Sequence, residues 1–128
     1  MRGDNILKID TECHKGVLFV RLKGKLIKDT VDKLNEEVTM LIRDNGIKNV
    51  VFNINDLTVI DMKGINALLY NYELVRDNNG YSCICGIKNS LVRHRIKNSR
   101  LLKYMYESSD EIGALNIINL YKERGYDN

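Results

Sequence analysis

Along the first twenty-odd residues the polarity alternates. Leu7, Ile9, Thr11 and Cys13 interleave with Lys8, Asp10 and Glu12, a period of two that places apolar side chains on one face of an edge-type strand. His14-Lys15-Gly16 supplies a short turn with a glycine able to take positive φ, and residues 17–22 return as a second strand. The pair predicts a β-hairpin. From Thr30 the period lengthens, with Val31, Leu34, Val38, Leu41 and Ile42 forming a helical stripe opposite Asp32, Lys33, Glu36, Glu37 and Arg43. This predicts an amphipathic helix with Thr30 or Asp29 as its N-cap and Asn45-Gly46 as its left-handed stop.

Residues 50–54, Val-Val-Phe-Asn-Ile, are nearly continuous in apolar character, as expected of a strand covered on both faces. A second helix is predicted over residues 62–78, with Ile65, Leu68, Leu69, Tyr72 and Val75 inward and Asn79-Gly80 closing it. Cys83-Ile84-Cys85 reads as another buried strand, residues 89–98 as a short basic helix, 102–106 as a strand, and 109 to about 120 as a last helix. Ser108 or Ser109 is its expected cap, with Asp110 and Glu111 at its positive end. Strands alternating with helices after the hairpin predict an α/β fold: a four- or five-stranded mixed sheet, its core strands parallel, packed with four helices. With no proline, linker or repeat, the chain reads as one domain, ordered over about 6–120 with a tail at 121–128.

At 128 residues and 44% hydrophobic content the chain suffices for one core. A net charge of +3 names no partner. No apolar stretch approaches the ~20 residues needed to span a bilayer, and the first residues lack the apolar core of a signal peptide, so the expected location is the cytoplasm. The three cysteines lack a CxxC spacing and read as buried thiols. There is no Walker-type phosphate loop and no GxGxxG. His14 and His94 stand alone and are expected at the surface, and no carboxylate pair is placed as acid and base. These features predict a protein without enzymatic activity, metal or cofactor.

The strand-loop-helix "VVFNINDLTVIDMKGINALL" (50–69), the strand-turn "CICGIKNSLVR" (83–93) and "LLKYMYESSDEIGAL" (101–115), together with the element order, resemble the STAS domains of anti-sigma-factor antagonists over about residues 6–120. In that family an Asp, a phosphorylatable Ser or Thr, one further residue and a Gly open the second helix. Here they read Asp61, Met62, Lys63, Gly64. The resemblance implies binding to an anti-sigma factor or a kinase-like regulator of ATPase fold, which in the family phosphorylates this position as a switch. Met62 has no hydroxyl, so the usual switch is absent and binding is expected to be constitutive. The alternative is a scaffold or accessory subunit of a stressosome-like or lipid-transport assembly, with self-association.

Physical chemistry supports a site at that helix start independently. Asp61 stands where an N-cap is wanted, Gly64 allows close approach of a neighbour, and a helix start carries unpaired amides and partial positive charge. Lys63 in the first turn opposes the dipole by roughly 0.3–1 kcal/mol, consistent with a side chain facing solvent or a partner. Met62 and Lys63 are either a partner-facing tip or a decayed switch that tolerates exposure. In the preceding loop Gly24-Lys25-Leu26 is followed by Ile27 where the family often has an acid, so Lys25, Ile27 and Asp29 are the candidate contacts there. Thr58 is a weak alternative phosphorylation site.

One charge anomaly remains. Lys88, Arg93, Arg95, Lys97, Arg100 and Lys103 fall in a stretch without any acid, and the rest of the chain is then net acidic. The segment reads as a solvated face, a surface for an acidic protein, or a site for nucleic acid or anionic lipid; no interleaved aromatics favour nucleic acid.

Overall fold

The computed structural model describes residues 6–125. The hairpin strands are β1 (Leu7–His14) and β2 (Val17–Leu26), joined through Lys15 and Gly16 at φ 51° and 79°. Two consecutive positive φ values are those of the tight turn whose twist matches a β-hairpin. Helix α1 spans residues 31–45, α-helical at Val31–Leu34 and Met40–Asn45 with a wider π-helical stretch at Asn35–Thr39 that turns both Val38 and Thr39 inward. Gly46, at φ 58°, ends it as expected.

Strand β3 (Asn49–Ile60) leads into α2 (Met62–Asp77), β4 (Tyr81–Cys85), α3 (Ser90–Lys97), the single turn α4 (Leu101–Tyr104), β5 (Tyr106–Ser108) and α5 (Glu111–Gly125). The five strands lie in sequence order, β1 antiparallel to β2 and every later pair parallel. This is the mixed α/β sheet that the alternation of patterns predicts.

Period-2 alternation divides the interior. Leu18, Val20, Leu22, Val50, Phe52, Ile54 and Ile84 face one side, where they pack with Leu34, Val38 and Ile42 of α1, Ile65 and Leu68 of α2, and Val92 and Ile96 of α3. Val17, Phe19, Val51, Cys83 and Cys85 face the other, where, among the described residues, α5 supplies the cover through Ala114 and Ile118. The central strands are therefore apolar on both faces, as their composition requires.

Several local expectations are corrected. Residues 102–106 are not a strand: Leu101–Tyr104 is a helical turn that buries Leu101, Met105 is extended and buried, and the edge strand begins at Tyr106, opposite Cys83. An apolar run this short has no period that separates helix from strand. Thr30 makes no side-chain cap; its hydroxyl donates to the Lys25 carbonyl at 2.7 Å and accepts the Ile27 amide, bracing the loop before α1. Asp110 replaces Ser108 and Ser109 as the cap of α5, accepting the Gly113 amide at 2.8 Å.

Asn79, not Gly80, takes the left-handed conformation after α2, while Gly80 passes against the Lys48 backbone, where a Cβ has no room. Cys13 is exposed near the hairpin turn, and only Cys83 and Cys85 are buried. The last helix continues to Gly125, past the boundary read from its apolar pattern, and residues 126–128 of the expected tail lie outside the described residues. No helix among the described residues is long and apolar enough to cross a membrane.

Candidate functional site

The helix start singled out in sequence is built by two loops locked together. Asp61 is extended and caps α2: one carboxylate oxygen accepts the Gly64 amide at 2.9 Å, and the other reaches back to accept the Lys28 amide at 2.9 Å. The Asp61 amide donates to the Leu26 carbonyl at 3.3 Å. Gly64 sits where an added Cβ would fall on that same Leu26 oxygen. Helix dipole, capping and close approach thus bring residues 25–29 and 61–64 onto one surface.

Within that surface Met62 and Lys63 project outward and Met62 is 58% exposed. Lys25 and Ile27 are half-buried and Asp29 is exposed, while Thr58 donates its hydroxyl to the Gly24 carbonyl at 3.0 Å. Met62 offers a flexible apolar contact and no oxygen to which a phosphoryl group could be attached.

Beside the helix start a groove of about 510 Å³ opens between the end of β3 and α3. Val59 and Met62 line one wall, Leu91, His94 and Arg95 the other. Helix α3 is capped by Asn89, whose side chain accepts the Leu91 and Val92 amides at 2.9 and 3.1 Å. That cap fixes which face turns inward: Val92 and Ile96 enter the core, and Leu91 is left 71% exposed. Val59 and Leu91 were not singled out in sequence; the available signal was that Leu91 falls off the Val92–Ile96 row.

The basic segment does not act as one cluster. Arg93 is drawn into an ion pair with Glu107 at 2.6 Å and also donates to the Ile87 carbonyl. Lys88, Arg95, Lys97, Arg100 and Lys103 are exposed, and none forms an ion pair within 4.0 Å among the described residues.

On the opposite sheet face sequence reasoning missed a polar network. Arg21 of β2 forks onto Glu111 of α5, its Nε at 2.8 Å from one oxygen and a terminal nitrogen at 2.9 Å from the other, and also meets Glu12 and Asp10 of β1. Asn53 donates to Glu111 at 2.7 Å. The bonds to Arg21 hold the Glu111 carboxyl below its ordinary range, and those from Glu111 and Glu12 push Arg21 further up. These bonds tie α5 to the sheet. Among the described residues no group of three or more His, Cys, Asp or Glu is arranged to hold a metal ion.

A five-stranded mixed sheet packed with helices in this way is the architecture of the STAS domain. The chain belongs to that family, whose model matches residues 8–118. It is 30% identical over 109 residues to a protein of Paenibacillus polymyxa named anti-sigma F factor antagonist, covering 85% of this chain and 92% of that one. Among solved structures it is similar to an anti-sigma factor antagonist from Mycobacterium paratuberculosis, at 17% identity, 93% and 99% coverage and a TM-score of 0.81. It is also similar to the anti-sigma factor antagonist SpoIIAA in its unphosphorylated form, at 13% identity, 89% and 98% coverage and a TM-score of 0.67. The chain is an STAS domain of the anti-sigma-factor-antagonist kind.

Proposed function

We propose that this protein is a non-catalytic regulator that binds an anti-sigma factor, or a kinase-like protein of ATPase fold, through the α2 start at Asp61–Gly64 and the neighbouring loop at Lys25, Ile27 and Asp29. The carrying observation is Met62, exposed at the first position of a helix capped by Asp61. In the resembled motif this position takes the phosphoryl group that breaks the complex. A thioether cannot accept one, so the interaction is constitutive and is controlled by the amount of protein rather than by phosphorylation. The name of the Paenibacillus polymyxa relative supports the class of partner.

Affinity capture from lysate of the source cells, read by mass spectrometry, tests this. Wild type captures an ATPase-fold regulator with or without ATP, Met62→Asp loses it, and Met62→Ser becomes phosphorylated when the captured fraction is given ATP. Capture of no such regulator, or capture unchanged by Met62→Asp, overturns the proposal.

A further inference from the structure

We infer that the groove between the α2 start and α3 receives an acidic, amphipathic segment of a protein partner, seated by one or more large apolar side chains. The inference rests on the reading of this chain as a protein-binding module and adds the chemistry of what it binds.

The seat is apolar. Val59, Met62 and Leu91 are 37%, 58% and 71% exposed and all border one opening. Scattered apolar side chains at a surface need no explanation, but three around one recess form a patch of the kind that anchors a partner. Met62 and Leu91 line it from different elements, α2 and α3, and are unbranched at Cβ, so both can adapt to an inserted side chain.

The rim carries an exposed cation, Arg95, that has no ion-pair partner among the described residues. Among the described residues the one carboxylate lining the groove is Asp61, and both of its oxygens are engaged, by the Gly64 and Lys28 amides. Carboxylates flanking an apolar anchor would find Arg95 unspent, whereas a basic ligand would find the Asp61 oxygens already bonded.

The basic segment is not furnished for nucleic acid. Single-stranded nucleic acid is held on base-stacking aromatics; residues 88–103 contain no Phe, Tyr or Trp, and Tyr104 just beyond them has its ring against Tyr72 at a centroid distance of 5.4 Å.

Fluorescence anisotropy with labelled synthetic helical peptides tests the inference on the intact protein. The peptides share a leucine face and carry glutamate, glutamine or lysine on the polar face; a single-stranded oligonucleotide and phosphatidylglycerol vesicles serve as competing polyanions. The glutamate peptide binds most tightly and weakens with salt, and Arg95→Glu reduces its affinity by about tenfold or more. Leu91→Ala weakens all leucine-faced peptides. Lys97→Glu makes the same change in net charge outside the groove and alters affinity by less than about twofold. Any of four results overturns the inference: no binding of the glutamate peptide, equal binding of the glutamine peptide, equal effects of Arg95→Glu and Lys97→Glu, or tighter binding of the oligonucleotide or vesicles. The result is separable from the proposed function. A regulator captured equally by wild type and Arg95→Glu but lost in Met62→Asp overturns the acidic groove alone. Arg95-dependent binding of the glutamate peptide without capture of any regulator overturns the choice of regulator alone.

Discussion

Gly64 lies directly against the carbonyl oxygen of Leu26, with no room for a side-chain atom between them. This contact holds the first turn of α2 on the loop that follows β2, and it sets two effects against each other. At an interior helix position Gly→Ala gains about 1 kcal/mol in propensity. Here the added Cβ meets backbone that cannot swing aside, and overpacking costs about 1–3 kcal/mol. Gly64→Ala is therefore expected to lower stability in urea unfolding, whereas Asn66→Ala, on the exposed side of the same helix, leaves it equal or raised.

Asp61 holds both loops through separate oxygens. Asp61→Ala removes a cap worth about 0.5–2 kcal/mol and also frees the Lys28 amide. Hydrogen exchange is expected to accelerate at Gly64 and Lys28 together. Asp61→Asn, with one oxygen acceptor, restores protection at Gly64 but not at Lys28.

The Arg21–Glu111 fork predicts an acid-side loss of stability. Bonding to Arg21 lowers the Glu111 carboxyl from its ordinary 4.5 in the folded protein, so the unfolded chain binds the proton first. The stabilisation is fully present above that ordinary value and is lost as pH falls below it through the depressed folded value. A series of urea midpoints against pH checks this: Glu111→Gln flattens the decline below about pH 4.5 and lowers stability at neutral pH.

The thiols should divide by location. Desolvation under α5 pushes both Cys83 and Cys85 up to about 12, so neither ionises appreciably at pH 8 while the protein is folded. Cys13 is exposed. A thiol reagent is expected to modify Cys13 quickly in the native protein and all three cysteines in denaturant. Cys13→Ser abolishes the fast phase.

Much of this architecture is written in local pattern. The alternation at residues 7–22, the stripe of Val31, Leu34, Val38 and Ile42, and the two-faced apolar run of β3 each report one element and the faces it buries. Asp61 and Gly64 were also legible, because capping and close approach demand particular residue types at particular places. Fine boundaries were less so. Leu101, Leu102 and Met105 satisfy helix and strand patterns alike, and only the pairing of Tyr106 with Cys83 in β4 decides where the edge strand starts.

The sequence by itself determined the α/β order, the parallel core, the STAS resemblance and the absence of a hydroxyl at Met62, since each depends on residue type and short-range spacing. Tertiary structure alone decided what distant residues do to one another. It seated Arg21 on Glu111, ninety positions away, and paired Arg93 with Glu107 so that it left the basic cluster. It also set Leu91 and Arg95 of α3 across a recess from Val59 and Met62. Such encounters follow from how the helices settle on the sheet, and no local period encodes that packing.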